Sequence, residues 1–193
     1  MTGRTAAYLA AAWAIAFAAP HLYWATGRKD GLDTALSTKI VDGAGTGFAL
    51  GCLGIALFCL CGALTALATL RWPIAWHRSS RRVLVGLLWF GAALLVLRSI
   101  DIFVEFNLGL TGLVHIPADQ HADYLHMARW FMFFWLPLFV VGAIAWTRLA
   151  WRYTRSVRGK LGVQPDLAQL TGTGVERTHE PVRRPARRAQ ELA

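Results

Sequence analysis

Charge is scarce through the middle of this chain. Residues 45–70 carry no Asp, Glu, Lys or Arg, and residues 83–97 carry none either. Charged residues make up 16% of the 193, against about 25% in an ordinary soluble domain. The apolar residues come in blocks rather than in an alternating or amphipathic pattern, which excludes a fold facing water on all sides. Cysteine is scarce too. Cys52, Cys59 and Cys61 fall in one apolar block, with no C-x-x-C and no Cys/His spacing. That excludes a disulfide framework and a zinc site, and leaves the cysteines as small apolar core residues. There is no G-x-S-x-G, no P-loop and no Gly-rich dinucleotide turn, so common soluble chemistries lack their motifs and no cofactor is expected. His121 and His126 are five apart and miss the i, i+4 pair of a helical metal site, so no metal is expected.

What is present is a series of apolar blocks long enough to cross a hydrocarbon core of about 30 Å. They predict an all-α fold, a four-helix transmembrane bundle with spans over residues 5–25, 45–70, 83–107 and 127–151. A polar, basic and mostly disordered tail over residues 156–193 follows, with Pro165, Pro181 and Pro185 and few large apolar side chains. The first block also fits a cleaved signal peptide, with Arg4 as its charged start and Ala16-Phe17-Ala18 as a cleavage site; Pro20 and the aromatic continuation favour retention. Pro137 sits in mid-span and predicts a distorted helix. Gly43, Gly47 and Gly51 are spaced by four. Such a row lets helices approach closely, either within the bundle or in a homo-oligomer.

The formal net charge of +9 sits beside the apolar blocks. Arg71, Arg78, Arg81 and Arg82 fall in twelve residues without an acid, and Trp72 and Trp76 among them fit an interfacial aromatic belt. Basic residues in such places face the cytoplasm and touch anionic lipid. The expected setting is therefore a bacterial inner membrane, with both termini and residues 71–82 cytoplasmic and the loops 26–44 and 115–126 outside. The expected partners are the bilayer and anionic lipid at the cytoplasmic face, not nucleic acid.

The unusual polar residues converge. Arg98-Ser-Ile-Asp101-Ile-Phe-Val-Glu105 ends the long apolar run from Val83. Arg98 lies fifteen residues beyond Val83, and His21 sixteen beyond Thr5, so both stand about 23 Å from the cytoplasmic side. Arg129 caps the outer end of the fourth span. Charges at such a depth must face protein or water. A structural ion-pair network of Arg98, Asp101 and Glu105, helped by Arg129, is one reading. An enzyme acting on a lipid-like substrate is another, with Asp101 or Glu105 as general acid, His21 as partner, Arg98 holding an anionic head group, Arg129 and Trp24 as further ligand contacts, and an aromatic lining from Trp130 to Trp135. A proton or ion pathway, or a ligand sensor, is the third.

The element His21-Leu-Tyr23-Trp24-Ala-Thr-Gly27, the Arg98-x-x-Asp101 centre and the aromatic run Arg129-Trp130-Phe-Met-Phe-Phe-Trp135-Leu-Pro-Leu-Phe are similar to a family of small bacterial four-span membrane proteins, domain of unknown function 3995. The likeness covers residues 5–155. It departs at Arg28, where family members often carry a second glycine. The resemblance implies the membrane architecture and carries no reaction. The leading expectation is an integral membrane protein whose polar cluster is structural or ligand-sensing.

Overall fold

The computed structural model describes residues 3–71 and 78–172. Helix α1 spans Gly3–Ala25, the short α2 Thr38–Gly43, α3 Thr46–Arg71 and α4 Arg78–Leu110. A helix α5, His121–Trp130, runs through a π-helical turn, Phe131–Trp135, into α6, Leu136–Gly172. Single 3-10 turns lie at Leu32–Thr34 and Ala118–Gln120, and there is no strand among the described residues. Four segments are long and apolar enough to cross a membrane: Gly3–Ala25, Thr46–Leu70, Ser79–Leu110 and Ala118–Arg158. The all-α pattern with four helices long and apolar enough to cross a membrane, as read from the blocks, is the observed one.

The boundaries differ where polar residues continue a helix. α4 starts in the arginine-rich stretch and the fourth span starts in the histidine-rich loop, because Arg, Ser, His and Asp are tolerated in the end of a helix. α6 runs on to Gly172, beyond the expected boundary at Arg155. The contacts divide the chain into residues 1–155 and 156–193, and the second unit consists, where described, of the end of α6. The expected disorder of residues 173–193 and the expected interfacial Trp72 and Trp76 lie outside the described residues.

The packing is made by small residues against small ones and by tryptophans over glycines. α1 buries Ala7, Ala10, Ala14 and Ala18, and α3 buries Cys52, Ala56, Ala63 and Ala66, in rows that bring the two helices together. The row Gly47, Gly51 does not serve this seam. Both glycines face outward, and a Cβ added to either would meet nothing within 4 Å; Gly43 belongs to α2, beyond a break at Ala44. The glycines that do carry packing are elsewhere. A Cβ on Gly142 would come within 2.4 Å of the Trp13 ring, and one on Gly91 within 2.9 Å of Trp146. Trp13 Nε1 donates to the Leu138 carbonyl at 2.7 Å, so α1 and α6 are joined by ring packing and a hydrogen bond.

The distortion expected at Pro137 takes the form of the π-helical turn just before it. Proline has no N–H and its ring crowds the carbonyl four residues back, that of Phe133; widening the preceding turn relieves both effects.

Candidate functional site: an aromatic cavity at the loop end

The last two turns of α1 present Phe17, His21 and Trp24 at spacings of four and three, which places them on one helix face. Their rings pack in series, Phe17 to His21 at 4.7 Å and His21 to Trp24 at 5.3 Å between centroids. The π-helical turn and the start of α6 answer with Phe131, Trp135 and Phe139. Phe17 stands edge-on to Trp135 at 6.2 Å and to Phe139 at 5.2 Å. Between these walls lies a cavity of about 350 Å³, completed by Leu32, Leu36, Cys52 and Arg98 among others.

Two indole N–H groups hold a cover over it. Trp24 Nε1 donates to the Asp30 carbonyl at 3.1 Å and Trp135 Nε1 to the Thr34 carbonyl at 3.0 Å. Leu32 is thereby tucked inside, 1% exposed. The H-x-Y-W-x-x-G element now has a physical account. His21 and Trp24 line the cavity, the Tyr23 hydroxyl donates to the Asp30 carboxylate at 2.5 Å, and Gly27 stops the helix with φ +86°, a conformation other residues adopt at a cost. Side chains of α5 and its approach fasten the same cover: Thr38 donates to Asp123, His126 Nε2 lies 3.4 Å from Asp33, and Lys39 lies 3.8 Å from Asp119.

His21 is 9% exposed. Its Nδ1 is 2.9 Å from the Phe17 carbonyl. A carbonyl only accepts, so Nδ1 carries a proton, and when the ring is uncharged Nε2 is an acceptor. Arg98 comes to the same cavity from α4 and pairs with Asp101 one turn on, with 41% and 59% of the two side chains exposed.

The structure thus brings together His21, Arg98 and Trp24 of the expected residues and leaves out the others. α4 turns Leu88, Ala92, Leu95, Ser99, Ile102 and Phe106 inward, a strict helical repeat. Asp101 and Glu105 fall on its outward face and do not line the cavity. Glu105 makes no ion pair among the described residues, so the ion-pair network contracts to Arg98 and Asp101. Arg129 faces outward, and Trp130 packs edge-on to Phe134 at 6.2 Å, away from the cavity. Among the described residues no group of three His, Cys, Asp or Glu is placed to hold a metal ion.

Of the walls, Phe131 and Trp135 belong to the aromatic run expected to line a site, and the residues missed from sequence are Phe17, Phe139 and Cys52. Their signal was aromatic spacing. Phe17, His21 and Trp24 share one face, and Phe131, Trp135 and Phe139 recur every fourth residue.

No curated protein and no solved structure matches the chain. Residues 14–146 match the family described as Protein of unknown function (DUF3995), a stretch that contains every residue lining the cavity. A match over more than half of the chain settles its membership: this protein belongs to the DUF3995 family.

Proposed function

We propose that this chain is a multi-pass protein of a bacterial plasma membrane, with both termini cytoplasmic, whose loop-end cavity binds a small, largely apolar molecule without transforming it. The observation that carries the reading is that His21 and Arg98, from different helices, line one aromatic-walled cavity. Its volume of about 350 Å³ falls in the range of small-molecule sites, and its walls are apolar with a few polar groups, as such sites are. Arg98 supplies donors and His21 Nε2 an acceptor, a pair that orients a ligand with one polar end. Binding is favoured over acid catalysis because neither Asp101 nor Glu105 lines the cavity, and the Asp101 carboxylate is engaged by Arg98.

Membrane placement is supported by the four apolar helices, and orientation by the arginines around Arg71 and Arg82 against the balanced 26–44 loop. A reporter active only in the cytoplasm and fused after Leu32 should stay silent; activity there overturns the orientation. Small molecules extracted from the purified protein and identified by mass spectrometry test the binding. The unsubstituted protein should carry a species that Cys52→Phe, which fills the cavity, and Arg98→Gln both lose while remaining monodisperse. Identical extracts from all three would overturn the reading.

A further inference from the structure

At the opposite end of the bundle lies a second and larger cavity, about 1150 Å³, formed by α1, α3, α4 and the Tyr153 turn of α6. Its polar rim is Arg4 from the first turn of α1, Ser79, Ser80 and Arg81 from the first turn of α4, and the Tyr153 side chain. No Asp or Glu lines it among the described residues. Its walls are apolar. Leu64 is 67% exposed, Leu87 48% and Val83 61%, so among the described residues these side chains are left largely uncovered. Leu87 is six residues beyond Arg81, so the apolar wall extends about 9 Å inward from the charged rim.

We infer that this cavity is a binding site for an anionic glycerophospholipid, with the phosphate at Arg4 and Arg81 and the first acyl carbons along Leu64, Val83 and Leu87. Three features select that occupant. Two arginines and two serine hydroxyls supply charged and neutral donors for phosphate oxygens. The apolar wall starts at Val83, two residues beyond Arg81, and reaches Leu87 nearly two turns on, so apolar surface follows directly on the donors as acyl chains follow a phosphodiester. The volume is several times what a free phosphate fills, and its exposed leucines need an apolar cover. A zwitterionic lipid would bring its own cation to a rim that already carries two, so the site discriminates by net charge. The site shares with the proposed function only the membrane setting; it uses no residue of the loop-end cavity.

The test is a thermal-stability titration of the full chain in a neutral detergent, with dioctanoyl phosphatidylglycerol, dioctanoyl phosphatidylcholine and inorganic phosphate as separate probes. Phosphatidylglycerol alone should raise the melting temperature. The Arg4→Gln/Arg81→Gln protein should need at least about tenfold more of it. Leu87→Trp, which keeps both arginines and fills the wall, should weaken the response as well, and covers the case in which the double variant does not fold. Arg129→Gln, which removes a positive charge from the other end, should respond as the unsubstituted protein does. An equal response to phosphatidylcholine, a full response to phosphate alone, or an unchanged phosphatidylglycerol response in both cavity variants would overturn the site. Loss of bound small molecules from the loop-end cavity would leave it untouched.

Discussion

At the loop end, the rings of Phe17, Trp24, Phe131, Trp135 and Phe139 wall a cavity of about 350 Å³, and two indole N–H groups hold residues 26–37 over it. At the basic end, a cavity of about 1150 Å³ is walled by leucines, of which Leu64 and Leu87 are exposed, and rimmed by arginines and hydroxyls. The first enclosure is held by its own walls. The second is completed only by something that brings apolar area and negative charge. Substitutions should therefore act differently at the two ends: at the loop end on the empty protein's stability, at the basic end on its response to lipid.

The largest effect is expected from Trp135→Ala. It removes ring packing to Phe17, Trp24, Phe131 and Phe134 together with the bond to the Thr34 carbonyl. Truncating such a buried ring costs about 3–5 kcal/mol. Leu87→Ala at the basic end should cost less than about 1 kcal/mol, as exposed positions do. Unfolding both in mixed detergent micelles measures the difference, and equal losses would break the contrast between the ends.

The helix seams sharpen it next. Gly142→Val drives a methyl into the Trp13 ring and should cost about 1–3 kcal/mol, the usual penalty of overpacking. Gly47→Val meets open space and should change the stability of the single chain by no more than about 0.5 kcal/mol. If Gly47 and Gly51 instead form a seam between copies, chemical cross-linking of the unsubstituted protein should trap a dimer that Gly47→Val loses.

The gap between these two glycines shows where sequence reasoning stopped. The number of helices was legible because charge vanishes over residues 45–70 and 83–97 and returns at arginines. The meeting of His21 and Arg98 was legible because rise per residue converts position into depth. Which face of each helix packs was not. In α3 and the middle of α4 every face is apolar, so no contrast marks the inner one, and Gly47 reads the same as Gly91. The same uniformity hid the cavity walls, since Trp135 and Trp130 sit in one aromatic run and only the helix register separates the one inside from the one outside. Asp101 and Glu105 were drawn into the site because they follow Arg98 within two turns, although the residues that α4 turns inward there are Ser99, Ile102 and Phe106.

A smaller effect is expected where the cover is fastened. Trp24→Phe keeps the ring in place and deletes the N–H that reaches the Asp30 carbonyl, a loss of about 1 kcal/mol. The loss is local, so limited proteolysis between Gly27 and Leu36 should accelerate while the melting of the four helices barely moves. No substitution at the basic end should change that cleavage rate.

The smallest effect is expected from Asp101→Asn, and its size reports depth. The Arg98–Asp101 pair is partly exposed on both sides. Facing water or the head-group layer, such a pair contributes less than about 1 kcal/mol. Facing hydrocarbon, loss of one partner would leave an unbalanced guanidinium and cost several times more. Arg98 lies twelve residues before the end of α4 at Leu110, about 18 Å along the axis, yet its long side chain reaches Asp101 in the direction of that end. That geometry places the charges toward the interface and predicts the small value. The Asn protein should also keep whatever small molecule the cavity holds, because Asp101 does not line it, whereas Arg98→Gln should lose it. A ligand lost equally from both would mean that the pair, rather than the arginine alone, forms the polar end of the site.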